Sequence, residues 1–339
     1  MNRYHRQEIL DCVGKAGQER LRAARVLVVG CGALGGNICE QLVRGGVGFL
    51  RIADRDIVEL TNLQRQVLFD EEDARRGMPK AVAAAQRLGR INSEVTIEPA
   101  VVDVDGANIE ELAGVDLILD GTDNVETRYL INDLAVKRSI PWVYGACVKT
   151  DGRVMTIVPG KTACLRCVFP DLPKGNELET CDTAGVLGPA AAVVGGMQAA
   201  MAIRLLVSGF TDVPSDLLAF DVWTGEFRKL ELKEAKSSDC VCCGQRRFEF
   251  LNHRHADRAA TLCGRNSVQV RGPGKSIQLV DVGRRLAPVG EVEQSKYFVR
   301  GTLPQEKLTL TVFPDGRAIV TGTTDPGRAR AIYARFVGV

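Results

Sequence analysis

Apolar positions fall into two alternating rhythms over the first 150 residues. Val26-Leu27-Val28-Val29 is an unbroken apolar run, the composition of a strand buried on both faces of a parallel sheet. The spacing then predicts a helix over about Gly35–Gly45, a strand at Phe49–Ala53 and a helix at Lys80–Ile91. Strands at Val95–Val101 and Asp116–Leu119, a helix over Asn124–Lys137 and a strand opening at Pro141–Tyr144 continue the alternation. Such alternation predicts an α/β protein with a doubly wound, mostly parallel, Rossmann-like sheet. Residues 1–24 read as an amphipathic helical lead-in with Ile9, Val13 and Leu21 on its apolar side.

From Asp151 the pattern loosens into a strand at Arg153–Val158, a loop-rich crossover from Cys164 to Cys181, a helix at Ala190–Leu206 and two strands within Ala219–Leu232. After Phe250 short strands are expected at Ser267–Arg271, Tyr297–Leu303 and Leu308–Phe313, with a turn at Pro314-Asp315-Gly316-Arg317 and a last helix at Arg328–Phe336. Residues 1–250 are therefore expected to form one domain, and residues 251–339 a separate small α+β domain.

Composition narrows the function. Lys and Arg number 44 against 42 Asp and Glu, a formal charge of +2, so neither nucleic acid nor an anionic membrane is the expected partner. The first ten residues are polar and charged, unlike a signal peptide. The most apolar run, Ala184–Ile203, is broken by glycines and Pro189, which suits a closely packed core helix better than a lipid-facing one. A cytoplasmic protein is expected.

The chemistry begins at Gly30-Cys31-Gly32-Ala33-Leu34-Gly35. This G-x-G-x-x-G follows a strand and opens a helix, so glycines admit a phosphate to the backbone and the helix N-terminus supplies amide donors. Asp54, 19 residues beyond Gly35, ends the second strand where a carboxylate can take ribose hydroxyls. Asn62-Leu63-Gln64-Arg65-Gln66 and Gly77-Met78-Pro79-Lys80 then add amides, a guanidinium and an ammonium. Lys80 in a first helical turn is disfavoured unless an anion is near. Hydride transfer has no use for these cations, whereas phosphoryl or adenylyl transfer does. Taken alone, Lys80 and Arg65 could equally be solvated surface charge. Asp123, in Asp120-Gly121-Thr122-Asp123-Asn124, sits beyond another apolar strand and could ligate Mg²⁺ or cap the next helix.

Eleven cysteines sort into classes. Cys164-Leu-Arg-Cys167 and Cys240-Val-Cys-Cys243 can give four thiolates to one structural zinc ion, with no open coordination position. Cys12, Cys31, Cys39 and Cys147 lie in apolar contexts and read as small buried hydrophobes. Cys263, near His253 and His255, reads as structural.

Together, Tyr4-His5-Arg6-Gln7, the glycine motif, Asp54, Asn62–Gln66, Gly77–Lys80, Asp120–Asn124 and the paired C-x-x-C knuckles resemble the HesA/MoeB/ThiF adenylyltransferase family, prokaryotic relatives of ubiquitin-activating enzymes. The resemblance covers about residues 3–247. It implies a homodimer that uses MgATP to adenylate the C-terminal carboxylate of a ubiquitin-like sulfur-carrier protein ending in Gly-Gly, releasing pyrophosphate, for molybdopterin, thiamine or related biosynthesis. It further implies that Asp54 binds ribose, that Asn62, Arg65 and Lys80 hold phosphates, and that Asp123 holds Mg²⁺. Arg6 matches an arginine supplied to the partner subunit's ATP. Cys181 matches a loop cysteine that in some relatives captures the activated carrier covalently and in others is dispensable for adenylation. Rival readings are a superfamily member acting on another substrate, such as a tRNA-base dehydratase, a scaffold with a decayed site, and an NAD-dependent oxidoreductase.

Overall fold

Strands form where the apolar runs stand, and their order in space decides where a ligand can enter. The computed structural model describes residues 3–172, 181–211, 213–252, 259–261, 266–272 and 277–338. Two compact units divide the chain, residues 1–254 and 255–339.

The first unit holds an eight-stranded sheet: β1 (Arg25–Val29), β2 (Phe49–Ala53), β3 (Thr96–Ala100), β4 (Leu117–Asp120), β5 (Trp142–Val148), β6 (Asp151–Ile157), β7 (Asp216–Asp221) and β8 (Glu226–Glu231). Their spatial order is β3-β2-β1-β4-β5-β6-β7-β8. The first five run parallel and the last three antiparallel. Strand order reverses between β1 and β4, and a crevice opens beyond the carboxyl ends of strands at such a switch point.

Its helices are α1 (His5–Glu8), α2 (Gly14–Ala23), α3 (Ala33–Gly45), α4 (Glu71–Arg75), α5 (Lys80–Ile91), α6 (Val125–Arg138), α7 (Leu165–Val168), α8 (Cys181–Ala184), α9 (Gly188–Ser208) and α10 (Glu249–Asn252). α9 packs on α2, α3, β5 and β6, while α6 packs on β4 and β5 and carries α7 and α10. α9 is long and apolar enough to cross a membrane, yet Ala190, Ala191, Val194, Ala199 and Ala202 are buried. It is the core helix that its glycines and alanines suggested. Gly195 shows why: a Cβ there would meet the Asn37 side chain at 2.7 Å and the Leu34 carbonyl at 2.9 Å, so α3 and α9 lie nearly backbone to backbone.

Two expectations need correction. The lead-in is helical, in two helices separated at Ile9–Val13 with Gly14 at a left-handed φ of 61°, but Ile9, expected on its apolar side, faces out. Cys12 in that break is exposed, not a buried hydrophobe, and Ile9 and Leu10 beside it are 58% and 51% exposed. Cys31, Cys39 and Cys147 are buried as expected.

In the second unit six antiparallel strands, β9 (Ala259–Thr261), β10 (Ser267–Val270), β11 (Val292–Gln294), β12 (Val299–Leu303), β13 (Leu308–Val312) and β14 (Ala318–Thr321), take the order β11-β12-β13-β14-β10-β9. α11 (Leu279–Leu286) and α12 (Pro326–Phe336) share its apolar core. The anticipated turn joins β13 to β14, with Gly316 at φ 84°. Cys263, His253 and His255 lie outside the described residues.

Candidate active site

The glycine motif is a knot of backbone at the switch point. Gly30 has φ 88°, and a Cβ there would lie 2.7 Å from the Gly121 carbonyl oxygen. A Cβ at Gly35 would overlap the Gly30 oxygen at 1.9 Å, and one at Gly121 would meet the same oxygen at 2.3 Å. Gly30, Gly35 and Gly121 therefore exist to let β1, α3 and the end of β4 cross. Gly32 differs: the nearest atom to its Cβ position is the Gln66 amide nitrogen at 3.7 Å, which leaves it as the glycine that faces open space at the N-terminus of α3.

A three-residue turn after β2 ties this knot to the cations. Asp54 Oδ2 accepts from the Cys31 N–H at 2.6 Å, and Oδ1 from the Asp56 N–H at 2.7 Å. Burial pushes the Asp54 carboxyl up, and the nearby Lys80 charge partly offsets it. The Lys80 N–H donates to the Asp56 carbonyl at 2.9 Å, and its ammonium Nζ lies 3.2 Å from Asp56 Oδ2. Lys80 is only 4% exposed. Solvated surface charge is thus the wrong description of this lysine: a buried ammonium needs anionic company. Arg55 bonds Asp103 at 3.1 Å, and the charges of Asp56 and Asp123 also hold its guanidinium up after burial is overcome.

Asn62 is buried and receives the Glu59 N–H at 3.1 Å, closing a short 3₁₀ turn. That turn orients Arg65, whose guanidinium donates to the Thr61 carbonyl at 3.0 Å, and Gln66, buried facing Gly32. The start of α9 backs onto the same segment, with Gly188 close enough that a Cβ would meet the Gln64 carbonyl at 3.1 Å.

Beyond β4, Asn124 and not Asp123 caps α6, accepting from the Thr127 N–H at 3.1 Å. The capping alternative is thereby occupied, and the Asp123 side chain stays exposed. Asp120, fully buried, pairs with Arg128 Nε at 3.1 Å and accepts from the Thr122 N–H at 3.0 Å. Burial pushes its carboxyl up to about 6, with Arg128 working against that rise. Asp56 and Arg128 carry no motif signal of their own, although Asp54-Arg55-Asp56 and Asn124-Val-Glu-Thr-Arg128 place these charges within one turn of Asp54 and Asn124; Gln66, in the Asn62–Gln66 motif, is among the amides expected there.

The remaining candidates lie apart. Arg6 is exposed on α1, and its neighbour Gln7 donates to the Gly45 carbonyl at 3.0 Å. Gly45 ends α3, and the helix's 13 residues put it roughly 20 Å from the glycine knot at 1.5 Å per residue. Cys181 begins α8, with its side chain outside the described residues. The segment after that helix is pinned, because Lys149, at a left-handed φ of 56°, donates to the Gly185 carbonyl and accepts from the Leu187 N–H, each at 2.9 Å. The hydrogen bond from Cys39 and burial push the Cys31 thiol well up.

Cys164, Cys167, Cys240 and Cys243 bring their four sulfurs within 4.8 Å of one another. Cys164–Cys240 and Cys167–Cys243 approach to 3.6 and 3.4 Å. The Cys164 hydrogen bond and burial push the Cys167 thiol up to about 12; a cation among the four would reverse that. The donor set fits a closed tetrahedral zinc. Cys242 is not part of it: its buried sulfur accepts from Asn132 at 3.2 Å.

A glycine knot with a carboxylate turn and a buried lysine at the switch point of such a sheet is the arrangement of a nucleotide-binding crevice. Residues 4–242 match the model of the ThiF family, and the chain belongs to that family. The sulfur carrier protein ThiS adenylyltransferase of Bacillus subtilis (strain 168) is 42% identical over 339 residues, 99% of each chain. The SAMP-activating enzyme E1 of Haloferax volcanii is 40% identical over 246 residues, covering 72% of this chain and 89% of its own. Among solved structures, Escherichia coli MccB with ATP superposes with a TM-score of 0.63 at 23% identity, over 72% of this chain and 75% of that one, a likeness of fold.

Proposed function

We propose that this chain adenylates the C-terminal carboxylate of a ubiquitin-like sulfur-carrier protein ending in Gly-Gly, using MgATP. The observation that carries the reading is the buried Lys80, held by Asp56 beside the glycine knot, which gives the crevice a fixed cation that a hydride-transfer site would not need. The carrier carboxylate is already ionised and needs no general base. Its oxygen attacks the α-phosphorus, the bond to the bridging oxygen breaks, and pyrophosphate leaves with the electron pair. Lys80, Arg65 and Asn62 take the phosphates, so that charge on the leaving group is offset as it develops. Asp54 takes the ribose with the lone pairs its two amide bonds leave over. Asp123 would hold the Mg²⁺ of MgATP, which would supply charge neutralisation to the phosphates. The four knuckle cysteines hold one structural zinc, which suits a reducing cytoplasm.

Residues 1–250 carry this chemistry as a ThiF-type ATP-binding domain; residues 251–339 have no assigned step. ATP–pyrophosphate exchange with a panel of purified Gly-Gly-ended carriers tests the reading. Exchange that depends on one carrier supports it and names the pathway; NADH turnover without exchange overturns it.

Arg6 acts in a homodimer, on the partner's nucleotide. Anchored at the far end of α3, it is too distant for its own crevice, and the exposed Ile9 and Leu10 next to it offer apolar surface for a second copy. Arg6→Ala and Lys80→Ala are each expected to be inactive, while a refolded mixture recovers up to about a quarter of wild-type exchange by random pairing of two symmetric sites. No recovery on mixing rules the crossing out.

The carrier body docks along the antiparallel edge. Trp223 and Phe227 are 78% and 65% exposed, and the β7–β8 turn joins the β5–β6 tip through Val222 N–H to the Thr150 carbonyl at 3.1 Å. Both tips stand at the crevice end of the sheet. The four spacings from β4 to β8 amount to about 19 Å, which an extended tail of about six residues spans. Trp223→Ala is expected to raise the carrier KM about tenfold or more with the ATP KM unchanged; an unchanged carrier KM removes this surface from the model of docking.

A further inference from the structure

The loop that presents Asp123 is gripped by groups that the adenylation step itself does not use. Arg128, one turn into α6, has only 12% of its side chain exposed. Its Nε bonds Asp120 Oδ2 at 3.1 Å and its Nη2 donates to the Thr122 carbonyl at 2.8 Å. Its guanidinium lies 5.6 Å from the centre of the Tyr144 ring. Asp120 in turn takes the Thr122 N–H on its other oxygen, and Gln198 from α9 donates to the Asp120 carbonyl at 2.7 Å. On the opposite side, Gly121 is jammed against the Gly30 carbonyl. The loop therefore has one position, fixed between the glycine knot and Arg128, and Asp123 is the next residue along.

We propose that Arg128 is a positioning residue for Asp123: through Asp120 and Thr122 it holds the loop so that the Asp123 carboxylate meets the metal of MgATP. The proposal rests on the adenylation reading. A buried ion pair is weak evidence for stability, since its desolvation cost cancels most of the attraction. A fork that binds a carboxylate and a carbonyl at once is instead a geometric device. The charge of Asp123 also reaches Arg128 and Arg55, so the guanidinium and the metal ligand share one electrostatic neighbourhood. Arg128 touches no reacting atom. Its loss should loosen the metal site, not remove it.

The test measures exchange as a function of Mg²⁺ concentration in Arg128→Lys and in the double variant Arg128→Gln/Asp120→Asn. The lysine keeps the charge but cannot serve Asp120 and Thr122 together; the double variant leaves no unpaired buried charge, so it folds even where a single truncation would not. Each is expected to need about tenfold more Mg²⁺ for half-maximal exchange, as for other groups that orient metal ligands. Rate at saturating Mg²⁺ should be largely retained, with Mn²⁺ binding in the presence of ATP weakened to match. A structural role alone would lower the melting temperature and leave the Mg²⁺ requirement in place. An unchanged requirement in both variants overturns the proposal while wild-type exchange upholds the adenylation reading; a wild type that exchanges with no carrier overturns both.

Discussion

Asp123→Ala will reduce carrier-dependent ATP–pyrophosphate exchange by about 10²–10³-fold, the scale seen when one preorganised electrostatic contact to a developing charge is lost. The change should cost almost nothing in stability. Asp123 is exposed, the helix cap belongs to Asn124, and exposed positions away from caps and networks usually stay within about 0.5 kcal/mol. Asp123→Asn should behave like the alanine variant, because the amide keeps the shape and loses the charge that a hard cation requires. Exchange assays at saturating MgATP, paired with thermal melts, separate the two effects. A variant that keeps more than about a tenth of wild-type exchange would mean that the metal is held elsewhere.

The second large effect concerns zinc. The protein should contain one zinc per chain by elemental analysis, and Cys164→Ser should abolish it. The two knuckles are 76 residues apart in the chain, and a metal among them would clip together the start of α7 and the segment before α10. Without it, Cys164 and Cys240, which are buried, face one another as thiols with no common partner. Metal loss belongs to the few mechanisms that cost about 4 kcal/mol or more, so at about 2–4 °C per kcal/mol the unfolding midpoint should fall by roughly 10 °C. Chelation should reproduce the drop in the wild type and leave the serine variant unchanged. Full thermal stability in zinc-free protein would show the cluster to be dispensable.

What the sequence disclosed followed the range of each signal. β2 and α5 fall on the residues expected of them, because a sharp change of period and Pro79 mark their ends locally. α11 went unread: eight residues with Leu279, Val282 and Leu286 inward are too short to stand out from a loop. The β5–β6 tip was hidden for another reason. Lys149 takes a left-handed turn conformation without being glycine, while the Asp151-Gly152 pair, which would mark a turn, lies inside β6. The same divide runs through the site. The glycine motif, Asp54 and Lys80 were legible because spacing along a strand and helix fixes them. The roles of Asp56 and Arg128 depend on which side chains tertiary packing brings beside them, and Cys12 was misjudged because apolar neighbours in sequence, Ile9 and Leu10, proved to be exposed themselves.

The sheet ends at β8, where all six residues are exposed and the outer backbone groups pair with no other described strand. Such a rim can template the addition of a foreign strand. Glu226, Arg228, Lys229 and Glu231 stud it with mixed charge, the usual guard against self-association. Among the described residues this border is guarded by charge, and neutralising those side chains to sharpen a docking experiment would trade selectivity for aggregation.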